Sequence, residues 1–284
     1  MAVRRFSEQK LTGEVLYRIR KTKNPRLKQV MTRFIRQLHA FVREVKPTAE
    51  EWGRGIAFLA ETGKWCDDKR NEFILMSDTL GVTMLTDALN YKAGAGATEA
   101  TVLGPFHREN APQYPLGASI AKNASDGDPC EVSGTVRDSK GNPVAGAKLD
   151  VWEAGADGCY DSQKGDAMNL RGIFCADAGG RFHFRCVKPL HYPLPHDGPV
   201  GKLLVATGRH PMRPPHLHFR ITAPGYRPLV TAFFVKGGKY LDSDVVFGVK
   251  PELIIDFRKG KDGIARVNYD FVLMIEKATK KKPP

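Results

Sequence analysis

The pattern of apolar residues changes near residue 100, and this change limits the folds open to the chain. Before it, apolar residues recur every three or four positions, as they do across residues 27–42. After it, short alternating runs such as residues 131–138 and 148–154 are separated by turns that contain Gly and Pro. The sequence therefore predicts a mainly β fold, with an all-helical region at residues 1–100 and an antiparallel β-sandwich domain at residues 101–284.

Local signals place some of these elements. Thr48 followed by Glu51 has the spacing of a capping box, so we expect a helix to begin there. Alternating or apolar runs predict further strands at residues 181–187, 216–221 and 229–235.

The composition is that of a cytoplasmic globular protein. Hydrophobic residues make up 42% and charged residues 26% of the 284 positions. No apolar run approaches the roughly 20 residues of a membrane-spanning helix, and we see no signal peptide, so we expect no membrane association. The five cysteines form no Cys-x-x-Cys pair, so we expect reduced thiols.

The chain is strongly basic, with a formal net charge of +13. Residues 1–50 hold 13 Lys and Arg against 4 Asp and Glu, and Lys280, Lys281 and Lys282 add to the excess. An excess of this kind can attract nucleic acid or anionic substrates. Because the basic residues interleave with a helical apolar stripe and no nucleic-acid motif is present, we expect a solvated helical surface and no nucleic-acid partner.

Two histidines lie two residues apart, directly after a pair of prolines. Side chains at positions i and i+2 of a β-strand point to one face, so His216 and His218 present neighbouring imidazoles. Imidazole is a common ligand of transition metals, although such a pair is more often simply packed or solvated. The spacing alone leaves both interpretations open.

Two loop tyrosines extend the metal hypothesis. Tyr160 follows the strand that contains Trp152, and Tyr192 lies in a proline-rich loop after residues 181–187. Most loop tyrosines only pack or face solvent. Beside two imidazoles, however, a trivalent cation would stabilise the phenolate form, although the pKa of a free phenol is about 10. Two phenolates and two neutral imidazoles suit Fe(III) better than Fe(II) or zinc.

Several segments together resemble the intradiol ring-cleavage dioxygenases. The segments that carry the resemblance are residues 134–147, 150–154, 158–161, 198–201 and 213–219. The resemblance implies a β-sandwich with a helical dimerisation region, and one Fe(III) per subunit bound by Tyr160, Tyr192, His216 and His218. It implies an aromatic diol or triol and O2 as substrates. It further implies that Tyr192 accepts a substrate proton and that Arg213 stabilises negative charge on the substrate.

Three further segments, residues 97–106, 206–211 and 240–249, resemble the hydroxyquinol 1,2-dioxygenases more than the catechol enzymes. This resemblance implies cleavage of hydroxyquinol (1,2,4-trihydroxybenzene) between adjacent hydroxylated carbons, giving 3-hydroxy-cis,cis-muconate or maleylacetate. Catechol and 6-chlorohydroxyquinol stay open as alternative substrates. The implied substrate pocket consists of Leu75, Asp78, Val102, Leu103, Gly104, Phe106 and Arg213. Leu75 and Asp78 lie three apart on a predicted helix, and Asp78 can accept a hydrogen bond from the third ring hydroxyl.

One position departs from the family pattern. The family usually carries Gln or His in the strand after the ligand pair, where Ala232 stands here. A methyl group cannot donate a hydrogen bond, so we expect either a substitute donor or a pocket widened for a bulkier ring. Cys159, directly before Tyr160, is also unusual, and the sequence indicates no role for it.

Two alternatives use parts of the same pattern. An extradiol-type Fe(II) centre would need two histidines and one carboxylate, which Asp150, Glu153 or Asp161 can supply. A non-enzymatic transthyretin-like binding module would need neither the tyrosines nor the helical region.

The helical region predicts self-association. Its apolar faces exceed what one short bundle can cover, so we expect a homodimer. Related enzymes enclose a lipid tail between these helices, and the sequence leaves open whether a lipid binds here.

Overall fold

The computed structural model describes residues 7–276, and the basic residues Lys280, Lys281 and Lys282 lie outside this range. Within it, the helices are α1 (Glu8–Arg18), α2 (Pro25–Val45), α3 (Ala49–Lys64), α4 (Glu72–Thr79), α5 (Val82–Asn90) and α6 (Pro199–Ala206). The strands are β1 (Pro129–Asp138), β2 (Lys148–Trp152), β3 (Arg171–Cys175), β4 (Arg181–Val187), β5 (Tyr192–Pro193), β6 (Met212–Arg213), β7 (His216–Thr222), β8 (Leu229–Val235), β9 (Ile254–Ile255), β10 (Arg258–Lys259), β11 (Ala265–Asn268) and β12 (Phe271–Leu273).

Side chains and backbone together fix the ends of the N-terminal helices. Asn24 caps α2 by accepting a hydrogen bond from the Leu27 amide at 2.9 Å, and α2 ends where Lys46 adopts a left-handed conformation. The predicted capping box at the start of α3 is confirmed. The Thr48 amide donates to Glu51 Oε2 at 2.8 Å, and the Glu51 amide donates to Thr48 Oγ1 at 3.2 Å.

The strands form two five-stranded sheets and a short two-stranded one. One sheet has the order β10–β11–β1–β12 with β4 also paired to β1, and the other has the order β3–β2–β7–β8–β9. The sheets are mixed, because β1 pairs in parallel with β11 and β12, and β8 pairs in parallel with β9. The prediction of a purely antiparallel arrangement is wrong for these pairs. Parallel pairing depends on long crossover connections that local alternation does not reveal.

Both five-stranded sheets contribute to one hydrophobic core. Phe233 of β8 stacks on Phe271 of β12 with ring centroids 5.2 Å apart, and Phe174 of β3 stacks on Phe184 of β4 at 4.9 Å. On β7, Leu217 and the apolar residues that alternate with the histidines belong to this core. Because side chains alternate along a strand, His216 and His218 point to the opposite face.

The chain divides into two units, one ending at Ala60 and the other beginning at Glu61. Helices α4 and α5 therefore belong to the same unit as the strands. Helix α6 lies among the β-strands and was not predicted, because its eight residues are too few for a clear helical period. Within residues 7–276, no helix has the length and apolarity needed to cross a membrane.

Candidate metal centre and substrate site

The two histidines stand at the start of β7, in the middle of its sheet. His216 and His218 are only 2% and 1% exposed, so both imidazoles on this face of the strand are buried. The His216 Nδ1 atom lies 2.7 Å from the Pro214 carbonyl oxygen, and this contact fixes the ring so that Nε2 faces inward. The two Nε2 atoms are 3.0 Å apart.

The two tyrosines come from separate loops and meet the histidines. Tyr160 precedes a short 3-10 turn after β2, and Tyr192 forms the strand β5 opposite Arg213 of β6. Their hydroxyl oxygens lie 3.1 Å apart, and each lies 3.4 Å from His216 Nε2. Four donor atoms, two phenol oxygens and two imidazole nitrogens, therefore converge on one buried point.

Burial sets the charge state of these groups. It raises the pKa of Tyr160 well above its ordinary value and raises that of Tyr192 as well, although the Arg213 charge opposes the latter shift. Burial lowers the pKa of His216 and His218 well below the usual range, with Arg213 adding to both shifts. All four groups are thus neutral by themselves, and only a strongly charged cation among them would ionise the phenols.

Aromatic rings hold the donor groups in place. Trp152 is the direct cross-strand partner of His218, and their rings stack with centroids 4.8 Å apart and 6° between the planes. Phe106 stacks on Tyr160 at 4.5 Å. Gly104 has a left-handed φ of 74°, and a Cβ there would lie 3.5 Å from His218 Nε2, so the backbone passes close to the imidazole.

Arg213 lies at the same point as the four donors. It is 1% exposed, and its Nη1 atom is 2.9 Å from His216 Nε2. A guanidinium at this position can donate hydrogen bonds to an anionic ligand of the centre. Burial alone would lower its pKa, but the paired carboxylate of Asp244 outweighs that effect and raises the pKa, so the guanidinium stays charged.

The structure brings most of the predicted pocket residues to this region. Leu75, Val102 and Phe106 share one apolar cluster with Tyr160 and Tyr192. Asp78 is 2% exposed on α4 and close enough to Arg213 for the two charges to interact. Leu103, between Val102 and Gly104, is 38% exposed, and its place in the pocket stays a prediction.

A cavity of about 500 Å³ reaches this cluster from the surface, lined by Leu75, Phe106 and Cys159 among others. It gives Cys159 a location at the mouth of the site but no chemical role. A larger cavity, about 890 Å³, lies along β1, β4 and β11 and contains none of the predicted site residues. The lining by Leu75 and Phe106, which share an apolar cluster with the two tyrosines, favours the smaller cavity as the substrate route.

Ala232 lies opposite His218 in the β7–β8 pairing and points to the same face. It is fully buried in a cluster with Phe234 and Leu253. At the position where the family usually has Gln or His, this chain therefore has an apolar contact instead of a hydrogen-bond donor.

The carboxylates of the Fe(II) alternative are engaged elsewhere. Asp150 lies 2.8 Å from His107 Nε2, Glu153 accepts from the Val187 amide at 3.0 Å, and Asp161 pairs with the buried Arg171. Within the described residues, no group of three or more His, Cys, Asp or Glu side chains could hold a metal ion. The two tyrosine hydroxyls are oxygen donors that lie beside His216 Nε2.

Some residues around the centre were not predicted from the sequence. Asp244 forms a buried ion pair with Arg213, and Arg171 donates to the Phe106 carbonyl at 3.1 Å while it pairs with Asp161. Asp244 lies within a segment that carried the family resemblance. The one sequence signal for Asp244 was Arg213, because a buried arginine with no acidic residue close to it in the sequence needs an acidic partner from elsewhere in the chain.

The chain matches two family sequence models. Residues 24–98 match the model described as "Catechol dioxygenase N terminus", and residues 102–275 match the model described as "Dioxygenase". The chain is thus a dioxygenase related to the catechol enzymes. Both regions are matched, which favours an enzyme over an isolated binding module.

Individual relatives narrow the class. The 6-chlorohydroxyquinol 1,2-dioxygenase of Cupriavidus pinatubonensis is 53% identical over 94% of this chain and 98% of its own length. The hydroxyquinol 1,2-dioxygenase of a Rhizobium species is 47% identical over 94% and 96%. The crystal structure of hydroxyquinol 1,2-dioxygenase from Pseudomonas putida DLL-E4 covers 95% of this chain and 99% of its own, with a TM-score of 0.87 and 44% identity. The chain belongs to the intradiol ring-cleavage dioxygenase family.

Proposed function

We propose that this chain is an Fe(III)-dependent dioxygenase that cleaves hydroxyquinol with O2 between adjacent hydroxylated carbons. The product is 3-hydroxy-cis,cis-muconate or its tautomer maleylacetate. The observation that carries the proposal is that both phenol oxygens and the His218 Nε2 atom lie 3.0–3.4 Å from His216 Nε2, with the two phenol oxygens 3.1 Å apart.

The donor set fits ferric iron. Tyr160, Tyr192, His216 and His218 would hold it, because two phenolates and two neutral imidazoles offset most of its charge while the buried surroundings favour a neutral site. When bound, ferric iron supplies the chemistry that makes a coordinated aromatic diol reactive toward O2.

The chain's own residues prepare the substrate. The diol must lose a proton to bind as an anion, and the phenolate form of Tyr192, which a bound ferric ion would stabilise, can take that proton at Oη. Tyr192 suits this role because Arg213 and the opposing strand hold it directly beside the donor centre. Arg213 then stabilises the negative charge that the ring acquires, and a buried guanidinium does so without reorganisation.

The third hydroxyl distinguishes hydroxyquinol from catechol. Asp78 is buried on the same helix as Leu75 and can accept a hydrogen bond from that hydroxyl. The hydroxyquinol enzymes among the relatives support this substrate. The 53% identity to the 6-chlorohydroxyquinol enzyme supports a chlorinated ring as the second candidate.

Purified protein tests the proposal. We expect one iron per chain, a red colour from tyrosinate-to-iron charge transfer, and O2 uptake that is faster with hydroxyquinol or 6-chlorohydroxyquinol than with catechol. Absence of O2 uptake with all three substrates in iron-loaded protein would overturn it.

The proposal also includes the sequence predictions on domains, oligomeric state, location and lipid. We take the two large sheets as a β-sandwich that forms the catalytic domain at residues 101–284, and residues 1–100 as a region that dimerises. Apolar side chains at helical spacing on α2, including Phe34 and Phe41, are more than half exposed and support such an interface. Cytoplasmic location stays a prediction, and lipid binding between the helices stays an open alternative. Sedimentation as a monomer at micromolar concentration would contradict the dimer.

A further inference from the structure

The guanidinium of Arg213 is buried where the proposed reaction takes place, and its orientation decides what it can stabilise. An arginine has five N–H donors, and a buried one needs partners for its charge and its hydrogen bonds. Nη1 faces His216 Nε2 at 2.9 Å, toward the centre. The other two nitrogens, Nε and Nη2, therefore need hydrogen-bond acceptors on the opposite side of the guanidinium.

Asp244 holds those two nitrogens. Arg213 Nε donates to Asp244 Oδ1 at 3.2 Å, and Nη2 donates to Oδ2 at 3.3 Å, with both side chains at most 2% exposed. This two-point contact fixes the plane of the guanidinium as well as its position. It leaves Nη1 as the nitrogen that faces the centre.

Asp244 is itself fixed by its own loop. Its Oδ2 atom accepts a hydrogen bond from the Gly248 amide at 2.9 Å, and Oδ1 accepts a longer one from the Val246 amide at 3.4 Å. Two non-glycine residues of the loop, Tyr240 and Phe247, adopt left-handed φ values of 66° and 59°. Such conformations cost energy and persist only where the surroundings hold them.

The loop also leaves little space between Gly248 and Arg213. A Cβ at Gly248 would lie 3.1 Å from Arg213 Nη2 and 3.1 Å from Asp244 Oδ2. Because Thr101 Oγ1 lies 3.0 Å from the same point, a side chain at this position must push Arg213, Asp244 and Thr101 back by a few tenths of an ångström. The shape of the loop thus supports the same orientation of Arg213 that the ion pair sets.

We propose that Asp244 is a positioning residue for ring cleavage, which aims Nη1 of Arg213 at the substrate oxygens. The inference rests on the proposed function, because it assigns to Arg213 the charge-stabilising role described above. Asp244 contacts none of the four proposed iron ligands by hydrogen bond in the described structure. Its loss should therefore impair turnover and leave iron binding intact.

A double-mutant cycle tests the inference. Asp244→Asn, Arg213→Gln and the double variant are compared with the parent chain for iron content, visible absorption, kcat and KM on hydroxyquinol. We expect Asp244→Asn to keep its iron and to lose about ten- to a hundredfold in kcat, as misplaced catalytic groups do, with little change in KM. The double variant should be no slower than Arg213→Gln, because Asp244 acts only through Arg213.

Two further variants keep the test decisive. Removing one partner of a buried ion pair strongly destabilises a protein, so Asp244→Asn risks misfolding. Gly248→Ala retains both charges and only displaces them, and it should also lower kcat at constant iron content. Asp138→Asn removes another buried acid, one that holds a distant turn, and should leave kcat unchanged.

The outcomes separate the two claims. A parent chain without ring cleavage contradicts the proposed function. An active parent in which the losses of Asp244→Asn and Arg213→Gln multiply in the double variant contradicts the inference alone. Unchanged kcat in Asp244→Asn, or in Gly248→Ala if Asp244→Asn does not fold, contradicts it as well.

Discussion

The ring of Phe106 lies nearly parallel to the ring of Tyr160, with centroids 4.5 Å apart and 19° between the planes. The backbone ties the same two residues together. The Phe106 carbonyl accepts a hydrogen bond from Arg171, and Arg171 pairs with Asp161, the residue that follows Tyr160. A residue of the substrate pocket and a proposed iron ligand therefore cannot shift independently.

Replacing Phe106 by leucine should disturb the proposed iron ligand Tyr160. Leucine keeps most of the apolar volume but loses the stacking, which is worth about 0.5–1.5 kcal/mol. We expect a shifted tyrosinate absorption band and a loss of about two- to tenfold in kcat/KM. Phe182→Leu, in the core between the sheets, should lower stability without moving the band. An unshifted band in Phe106→Leu contradicts the coupling.

Replacing Asp78 by asparagine should raise the stability of the folded chain and lower its preference for hydroxyquinol. Burial raises the pKa of Asp78 above its ordinary 3.8. The ionised carboxylate present at neutral pH therefore lowers the stability of the folded chain, whereas the protonated form at low pH does not. Asparagine removes this cost but accepts a weaker hydrogen bond from the third hydroxyl. We expect a higher melting temperature at pH 7 and a drop of about tenfold or more in hydroxyquinol-over-catechol specificity.

Asp87→Asn provides the matched control for Asp78. Burial also raises the pKa of Asp87, but this residue is on α5 and outside the proposed pocket. Its variant should gain stability and keep the substrate preference. Equal specificity in the parent and Asp78→Asn would remove Asp78 from the recognition of the third hydroxyl.

Introducing the usual family residue at position 232 should harm this protein. Ala232 is fully buried in an apolar cluster, and a glutamine there adds volume and a polar group without a partner. Overpacking of this kind costs about 1–3 kcal/mol, so Ala232→Gln should unfold at lower denaturant concentration. The exposed Ala206→Gln serves as control. A fully stable, faster Ala232→Gln enzyme would show that the site lacks a donor it needs.

The iron-free protein should lose stability on mild acidification. Burial lowers the pKa of His216 and His218 well below 6.5, so the unfolded chain takes up protons first as the pH falls below that value. Each histidine then removes up to about 1.4 kcal/mol of stability per pH unit. Denaturant titrations between pH 6.5 and 5 measure this slope.

A variant with both histidines replaced by glutamine should flatten the slope, whereas the exposed His183→Gln should not. An unchanged slope in the double variant would mean that these imidazoles take up protons as readily in the folded chain as in the unfolded one. That result would also weaken their assignment as metal ligands, because only the neutral ring binds a metal.

Alternation along the strands was enough to predict much of the second half of the fold. The runs at residues 181–187 and 229–235 are observed as β4 and β8 with the same bounds. The parallel pairing of β1 with β11 and β12 was missed, because it joins strands more than a hundred residues apart. A local sequence pattern predicts that a strand forms, but packing between distant parts of the chain decides which strands lie beside it.

The same limit applies to the site. Residue chemistry and family resemblance pointed to Tyr160, Tyr192, His216 and His218, and the structure brings these four together. Asp244 was not predicted, since nothing in its sequence neighbourhood distinguishes a buried carboxylate from a solvated one. Its role depends on a contact with Arg213 that exists only in the folded chain.

Intradiol cleavage at the Tyr160–Tyr192–His216–His218 centre is tested most directly by identifying the product formed from hydroxyquinol and isotope-labelled O2. Mass spectrometry should find a ring-opened dicarboxylate with one labelled oxygen in each new carboxyl group, and Tyr160→Phe should bind little iron and form none. A semialdehyde, the product of cleavage beside the diol rather than between its carbons, would contradict the claim.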